Sequence, residues 1–493
     1  MASECAVRTA MTEFWQEHAQ DGSLTEMMLD HNAEELCKHE LPEILSYLPT
    51  YVDKDVLELG AGIGRFTGAL AEKAKSVTAV DFMEKFVEKN RENNVAHKNI
   101  EFCCTDVTTM TSSKSYDIIF SNWLLMYLED EEVRKLSQNM LSWVREGGYL
   151  FCRESCNKQS GNKSRESNPT QYRRRLDYEA FFTSATVPTE DGNGVYGFDL
   201  VLSRNVHAYA QLKDNQDQYI WLLQKSRRTD MNGYKTFQEF LDNQQYSENG
   251  ILRYERIFGR TYVSTGGYDT TKEFVSMLDL QPGQVVLDVG CGIGGSAFYM
   301  VKEFGVKVVA IDLSSNMIDI GKARAEEVGI TNEVQFEIAD ATKRTYPDQM
   351  FDVIYSRDTI LHISDKLSLF KAFHKYLKPG GKVLISDYCC SAGEHSDQFK
   401  AYVKQRGYNL LSPQQYGKVL EDAGFVNVKA EDRTDLFVES LKKELKVAAS
   451  IKDDFIKEFS EEDYRAIVDG WEDKIERTGH GDQRWGMFYA EKS

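Results

Sequence analysis

Short aliphatic runs alternate along this chain with longer segments whose apolar residues recur at helical spacing. That pattern belongs to strands buried on both faces, with helices laid across them. The clearest stretch is Val285 to Asp312, VVLDVGCGIGGSAFYMVKEFGVKVVAID. It predicts a strand running into Asp288, a turn built on Gly290, Gly292 and Gly294, a helix, and a second strand ending at Asp312. Val56 to Asp81, VLELGAGIGRFTGALAEKAKSVTAVD, repeats the plan with Gly60, Gly62 and Gly64. Both copies place an acid two residues before the first glycine (Glu58, Asp288) and another at the end of the second strand (Asp81, Asp312). Glycines at such a turn let the backbone approach a ligand closely beside a helix N-terminus.

The repeat extends beyond the turns. YDIIFSNWLLMYLED parallels FDVIYSRDTILHISD, setting Asn122 against Arg357, Trp123 against Asp358 and Tyr127 against His362. VREGGYLFCRES parallels LKPGGKVLISDYCC, setting Ser155 against Tyr388. A register that holds across four motifs is a tandem duplication of one α/β domain, and the chain divides into residues 1–225 and 226–493. VYGFDLVLSRNVHAYAQL with QYIWLLQKS predicts the strands that close the first sheet, and AGFVNVKAED with QRWGMFYAEK those that close the second. Residues 1 to about 52 predict helices, with Pro42 near a helix start.

Composition narrows the function. With 493 residues, each half has enough chain to bury a full core. The net charge of −19 argues against nucleic acid, whose phosphates need clustered Lys and Arg. Nine cysteines without a C-x-x-C spacing read as reduced thiols with no metal site. The N-terminus is polar and helical rather than a signal peptide, and no apolar run approaches the ~20 residues of a membrane helix. A cytoplasmic monomer without membrane insertion is expected.

In open α/β sheets ligands collect at the carboxyl ends of the strands. In the first half this selects Gly60, Arg65, Asp81, Asp106, Val107 and Asn122, with Ser155 toward an acceptor. A polar insert, 156 to about 185, leaves the strand that ends at Ser155. Through Ser160, Thr170 and Tyr172 it is placed to close over the acceptor pocket, and the plainer reading is a solvated basic loop carrying Arg173, Arg174 and Arg175. In the second half Tyr246, Tyr254, Tyr262 and Tyr268 precede the glycine turn. His362 lies four residues after Asp358, on one helical face if that segment is helical. Tyr388, Tyr402, Arg406 and Tyr408 follow the last central strand. Tyrosine faces suit a methylated ammonium, and Arg406 among phenols suits a phosphate. An alkylamine with a pKa near ~10 is protonated at neutral pH, so chemistry at its nitrogen needs a base.

The two glycine turns with their paired acids resemble class I S-adenosylmethionine-dependent methyltransferases. The segments NQQY, RYERIFG, YVSTGG, SRDTILHI, SDYC, YVKQRGY and DGWEDKI, together with the duplication, resemble plant-type phosphoethanolamine N-methyltransferases over essentially the whole chain. The resemblance implies two tandem Rossmann-like domains, each a doubly wound, mostly parallel seven-stranded sheet with an antiparallel edge strand. It implies one S-adenosylmethionine per domain and three successive methylations of phosphoethanolamine to phosphocholine, the first in the first half and the later two in the second. It further implies a catalytic pair in which His362 draws the amine proton and Tyr246 latches the site. Gln245, Tyr254, Asp358, Tyr388, Tyr402, Arg406, Tyr408 and Lys474 would hold the phosphobase, and Val263, Ser264, Gly290, Asp312, Asp340, Ala341 and Arg357 the cofactor. The first half departs from the pattern, because Tyr127 stands where the second half has His362. A tandem methyltransferase for another small acceptor is the alternative.

Overall fold

The structure, a computed structural model, describes residues 2–18, 22–163, 169–228 and 234–493. The centre of the polar insert (164–168) and of the connection near residue 230 (229–233) lie outside the described residues. The chain forms two compact units, Met1–Phe237 and Gln238–Ser493.

In the first unit the strands are β1 (Asp55–Leu59), β2 (Ser76–Asp81), β3 (Ile100–Cys104), β4 (Tyr116–Asn122), β5 (Val144–Ser155), a two-residue β6 (Val187–Pro188), β7 (Val195–Asn205) and β8 (Gln218–Arg227). Their order across the sheet is β3-β2-β1-β4-β5-β8-β7, with β6 paired to β7. Strands β1 to β5 are parallel, and β8 runs antiparallel to both β5 and β7. The second unit has β9 (Val285–Val289), β10 (Lys307–Asp312), β11 (Val334–Ala339), β12 (Phe351–Arg357), β13 (Leu377–Cys390), β14 (Val426–Asp432) and β15 (Gln483–Glu491). The order β11-β10-β9-β12-β13-β15-β14 reproduces that of the first unit. The antiparallel strand therefore lies one place in from the edge in each sheet. It is long and apolar because helices cover it on both faces, as with Trp221, Leu223, Trp485 and Phe488.

The duplication reaches the far end of the sheets. Asp117 accepts from the Asp55 backbone at 2.8 Å and is held by Arg145. Asp352 likewise accepts from the Val285 backbone at 2.8 Å and is held by Lys378. At the other end the strand order reverses between β1 and β4, and between β9 and β12, which opens a crevice beside each glycine turn.

Two local expectations are corrected. Pro42 lies inside the helix Ala33–Ser46, not at its start. The buried face of that helix (Ala33, Leu36, Glu40, Ile44) holds it together across the hydrogen bond that proline cannot donate. Asp358 and His362 do not share a helical face. Asp358 takes a left-handed backbone (φ 50°), and only one short 3-10 turn, Ile360–His362, follows.

The glycine turns are sterically closed. At Gly290 φ is 71°, and an added Cβ would lie 2.0 Å from the Thr359 hydroxyl. Gly380 has a similar φ of 74° with nothing within 4 Å. Gly380→Ala should cost only the left-handed backbone penalty of about 1–2 kcal/mol. Gly290→Ala should cost visibly more, because Thr359 must also move. Denaturant melts of the two variants measure the difference, and equal midpoints would contradict the clash.

Candidate active site

In the first unit all six expected cofactor residues, Gly60, Arg65, Asp81, Asp106, Val107 and Asn122, line one cavity. The buried Asp81 carboxylate accepts from the Gly62 backbone (2.9 Å) and the Met83 backbone (3.0 Å). Burial outweighs those bonds and pushes its pKa up to about 6. Asp106 turns its carboxylate onto the Thr108 backbone and hydroxyl (2.9 and 2.7 Å). The N-terminal helix Ala2–His18 contributes Met11 and Trp15 to the cavity, and Met27 and Met28 complete that side.

The second unit repeats this geometry. Asp312 accepts from the Gly292 backbone (3.1 Å) and the Ser314 backbone (2.9 Å), and burial pushes its pKa up to about 6. Asp340 caps Thr342 as Asp106 caps Thr108. Val263 lies where Met27 lies: a Cβ added at Gly292 or Gly62 would meet either side chain at 2.7 Å. Arg357 is buried and ties the segment before the turn to the sheet, donating to the Thr265 carbonyl (2.6 Å) and the Thr271 hydroxyl (3.1 Å). Ser264 accepts from the Gly267 backbone at the start of the helix Gly267–Ser276.

Around the mouth of the second turn the expected acceptor residues converge. The Tyr246 hydroxyl lies 3.3 Å from His362 Nε2. Tyr246 ends a wide helical turn, Leu241–Gln245, that Asp242 docks onto the hydroxyls of Ser314 and Ser315 (2.6 Å each). Gln245 is half-buried beside it. The His362 ring meets Tyr408 edge-on at 5.2 Å, and Tyr408 meets Tyr402 and Tyr388 at 5.8 and 6.3 Å. The Lys474 ammonium sits 5.6 Å from the Tyr388 ring centre. Tyr254 packs on Phe258 and Trp471. Burial, then the cations Lys366 and Arg406, push the His362 imidazole down to about 4. It is therefore neutral at physiological pH and able to accept a proton. Burial pushes the Tyr246 phenol up, so it remains a neutral hydroxyl. Asp358 is anchored by the Trp485 indole N–H at 2.8 Å, with its second carboxylate oxygen buried and unpaired.

Among the described residues the first unit shows no such cluster. Tyr127 meets Trp15 edge-on at 5.3 Å, so an aromatic pair fills the place of Tyr246 and His362. The buried Ser155 hydroxyl donates to Gln218 at 3.1 Å. Ser155, Ser160, Thr170 and Tyr172 stand outside the lining of the cavity. The basic insert is engaged within its own unit. Arg173 holds Asp130 and two backbone carbonyls, Arg174 pairs with Asp177, and Arg175 with Glu179.

Sequence reading missed several residues. Glu40 joins Arg65 to Arg153, and the Arg153 guanidinium lies 3.7 Å over the Trp123 ring. Glu154 accepts from the Leu124, Leu125 and Met126 backbones at 3.0, 2.8 and 3.2 Å. Its signal was legible, since an acid at the end of an otherwise apolar strand needs buried donors.

Residues 56–148 and 280–424 each match a family model described as a methyltransferase domain. The chain is 53% identical over 488 residues to phosphoethanolamine N-methyltransferase 1 of Zea mays, covering 98% of this chain and 96% of that one. It is 52% identical over 496 residues to phosphoethanolamine N-methyltransferase 3 of Arabidopsis thaliana, covering 100% of both. A solved structure of Haemonchus contortus phosphoethanolamine N-methyltransferase 2, in complex with phosphomonomethylethanolamine and S-adenosylhomocysteine, is similar with a TM-score of 0.74 and 28% identity, over 93% of this chain and 99% of that one. Two glycine turns with their acids, two sheets of one topology and this likeness along the full chain make it a member of the phosphoethanolamine N-methyltransferases.

Proposed function

We propose that this chain converts phosphoethanolamine to phosphocholine by three N-methylations, the first in the first unit and the second and third in the second unit, for choline and phosphatidylcholine synthesis. The observation that carries the division is the Tyr246–His362 pair at 3.3 Å, set against Trp15 and Tyr127 in the first unit.

The residues fit the cofactor. Both turns are cradles that a Cβ would fill, and each faces a strand-end carboxylate, Asp81 buried and Asp312 half-buried. Asp81 and Asp312 would hold the ribose hydroxyls, Gly60 and Gly290 would face the methionine part, and Asp106–Val107 and Asp340–Ala341 would flank the base. Arg65 and Asn122 in the first unit, and Val263, Ser264 and Arg357 in the second, would complete the contacts. S-adenosylmethionine, when bound, supplies a sulfonium methyl open to in-line attack by an amine lone pair.

The protein's own task is to present that lone pair. Arg406 and Lys474, with Tyr388, Tyr402 and Tyr408, would hold the phosphate end, and Gln245 and Tyr254 would close the pocket. Asp358 would face the ammonium. His362 Nε2 takes one proton from the amine before each transfer, and Tyr246 orients the imidazole. The sequence ends at the quaternary product, which has neither proton nor lone pair left. Ser155, Ser160, Thr170 and Tyr172 are the proposed acceptor residues of the first unit. A reduced, cytoplasmic setting is supported by the eight described cysteines, all free; among the described residues no helix is long and apolar enough to cross a membrane. We place the working unit as a monomer, since each half carries its own complete turn.

Three outcomes are expected. An ionised carboxylate accepts from both ribose hydroxyls, whereas a protonated one gives up an acceptor oxygen and bonds more weakly, so binding of S-adenosylhomocysteine near and below pH 6 should release protons. Affinity should be flat above about pH 6, where Asp81 and Asp312 are already ionised, and fall roughly tenfold per pH unit below it. Calorimetry across pH checks this, and a flat profile down to pH 5 would contradict it. Arg406→Ala should raise the KM for monomethyl-phosphoethanolamine by roughly tenfold or more, and ethanolamine without phosphate should not be a substrate of the wild type. Disabling the first turn with Asp81→Ala and Gly60→Ala should abolish conversion of phosphoethanolamine while sparing conversion of the monomethyl compound to phosphocholine. Undiminished consumption of phosphoethanolamine by that variant would refute the division.

A further inference from the structure

The turn that carries His362 is clamped from outside at every carbonyl. Lys366, the first residue of the helix Lys366–Tyr376, is 4% exposed, although the start of a helix after ISD suggests an ordinary solvated lysine. Its ammonium donates to the Ile360 carbonyl at 2.8 Å and the Ile363 carbonyl at 2.7 Å, the two that bracket the histidine. Between them, the Leu361 carbonyl accepts from the Asn409 backbone (2.7 Å) and the His362 carbonyl from the Asn409 side chain (3.3 Å). Nearby, the buried Asp387 carboxylate accepts from the Tyr416 hydroxyl at 3.1 Å.

The first unit builds the same clamp from different residues. The position matching Lys366 is Glu131, whose side chain faces solvent. The cation arrives instead from the insert. Arg173, 7% exposed, donates to the Leu125 carbonyl (3.0 Å) and the Leu128 carbonyl (2.6 Å), the counterparts of Ile360 and Ile363. Glu154 stands at the register position of Asp387 and accepts from the Met126 backbone at 3.2 Å. A buried cation costs several kcal/mol to desolvate, yet both halves place one on the same two carbonyls from unrelated parts of the chain. In the second half, where the turn carries a histidine, that cation also adds charge close to the ring.

We propose that Lys366 is a positioning residue for the second and third methylations, fixing the turn that presents His362 and setting a positive charge beside its imidazole. This rests on the reading of His362 as the base. The groups facing the ring are Tyr246 from the turn Leu241–Gln245, Tyr408 and Arg406 after β13, and Lys366 on the following helix. Burial pushes both phenols up, so they stay neutral, and the charges acting on the ring, Lys366 and Arg406, are cationic and work against its protonation. Burial lowers the Lys366 pKa, and Asp387 acts against that shift.

The test uses the full-length chain with monomethyl-phosphoethanolamine and S-adenosylmethionine, following kcat/KM against pH. Lys366→Met should move the acid limb upward by roughly one pH unit, toward the ordinary histidine value. It should also lower kcat at neutral pH by about ten- to a hundredfold through the loosened turn, with little change in acceptor KM. Lys366→Arg keeps the charge and should hold the limb in place and recover part of kcat. A Met variant with wild-type kcat and an unmoved limb would overturn the proposal. Lost activity with an unmoved limb would also overturn it, since the residue would then be merely structural. If the Met variant no longer binds S-adenosylhomocysteine at its second site, Lys366→Gln is judged by the same two criteria. His362→Gln separates the underlying reading: wild-type turnover of the monomethyl substrate by that variant would remove the base assignment itself, whatever Lys366 shows.

Discussion

Each half of the molecule depends on one carboxylate that points back into its own glycine turn. Asp81 and Asp312 end the second strand of their sheets and accept the backbone N–H of Gly62 and Gly292. The bond fixes the distance between a strand end and a helix start, which is where the ligand crevice opens. It also accounts for the glycines: with φ near 55° and a neighbouring side chain at 2.7 Å from any added Cβ, the N–H reaches the acid only if the position carries no side chain. A buried acid with a pKa of about 6 is held at some cost to the fold, and two ribose hydroxyls would offset that cost.

The two halves have diverged by exchanging partners rather than by losing them. Where β4 and β5 end, Asn122 accepts from Arg153 at 3.2 Å. At the matched pair of β12 and β13, Arg357 donates to Ser386 at 3.4 Å, so the guanidinium has changed strands. One residue further on, the Trp123 indole donates to Gln218 at 3.0 Å, whereas the Trp485 indole donates to Asp358 at 2.8 Å. Gln218 and Trp485 occupy matching places opposite Ser155 and Tyr388, so donor and acceptor have swapped sides. Buried hydrogen-bonding residues are energetically coupled, and changing one alone leaves a polar atom stranded. The outcome is that the second unit carries a buried acid at Asp358, bonded to Trp485, while the first carries an indole face covered by Arg65 and Arg153.

Much of this was legible in the sequence, because strand ends follow from hydrophobic runs and the duplication supplied an internal alignment. Gly60, Asp81, Asp106 and Asn122 converge on one cavity for that reason. Tyr246 and His362 are 116 residues apart, and only the family resemblance pairs them, since no local spacing does. The expectation that Asp358 and His362 share a helical face failed at a left-handed residue that no side-chain pattern signals. Nothing in the sequence marks Lys366, and Arg173 stands in a basic run whose plainer reading is a solvated loop. Their burial depends on carbonyls at the ends of a short 3-10 turn, a tertiary demand without a sequence period. Pro42 read as a helix start, but the apolar face around it carries the helix through.

The central claim is that the two units perform different steps because only the second holds a histidine base. Product analysis of His362→Gln supplied with phosphoethanolamine and isotope-labelled S-adenosylmethionine tests it most directly. The account predicts that monomethyl-phosphoethanolamine forms at the wild-type initial rate and accumulates without passing to the di- and trimethylated compounds. Continued flow to phosphocholine, or loss of the first methylation together with the later two, would contradict it.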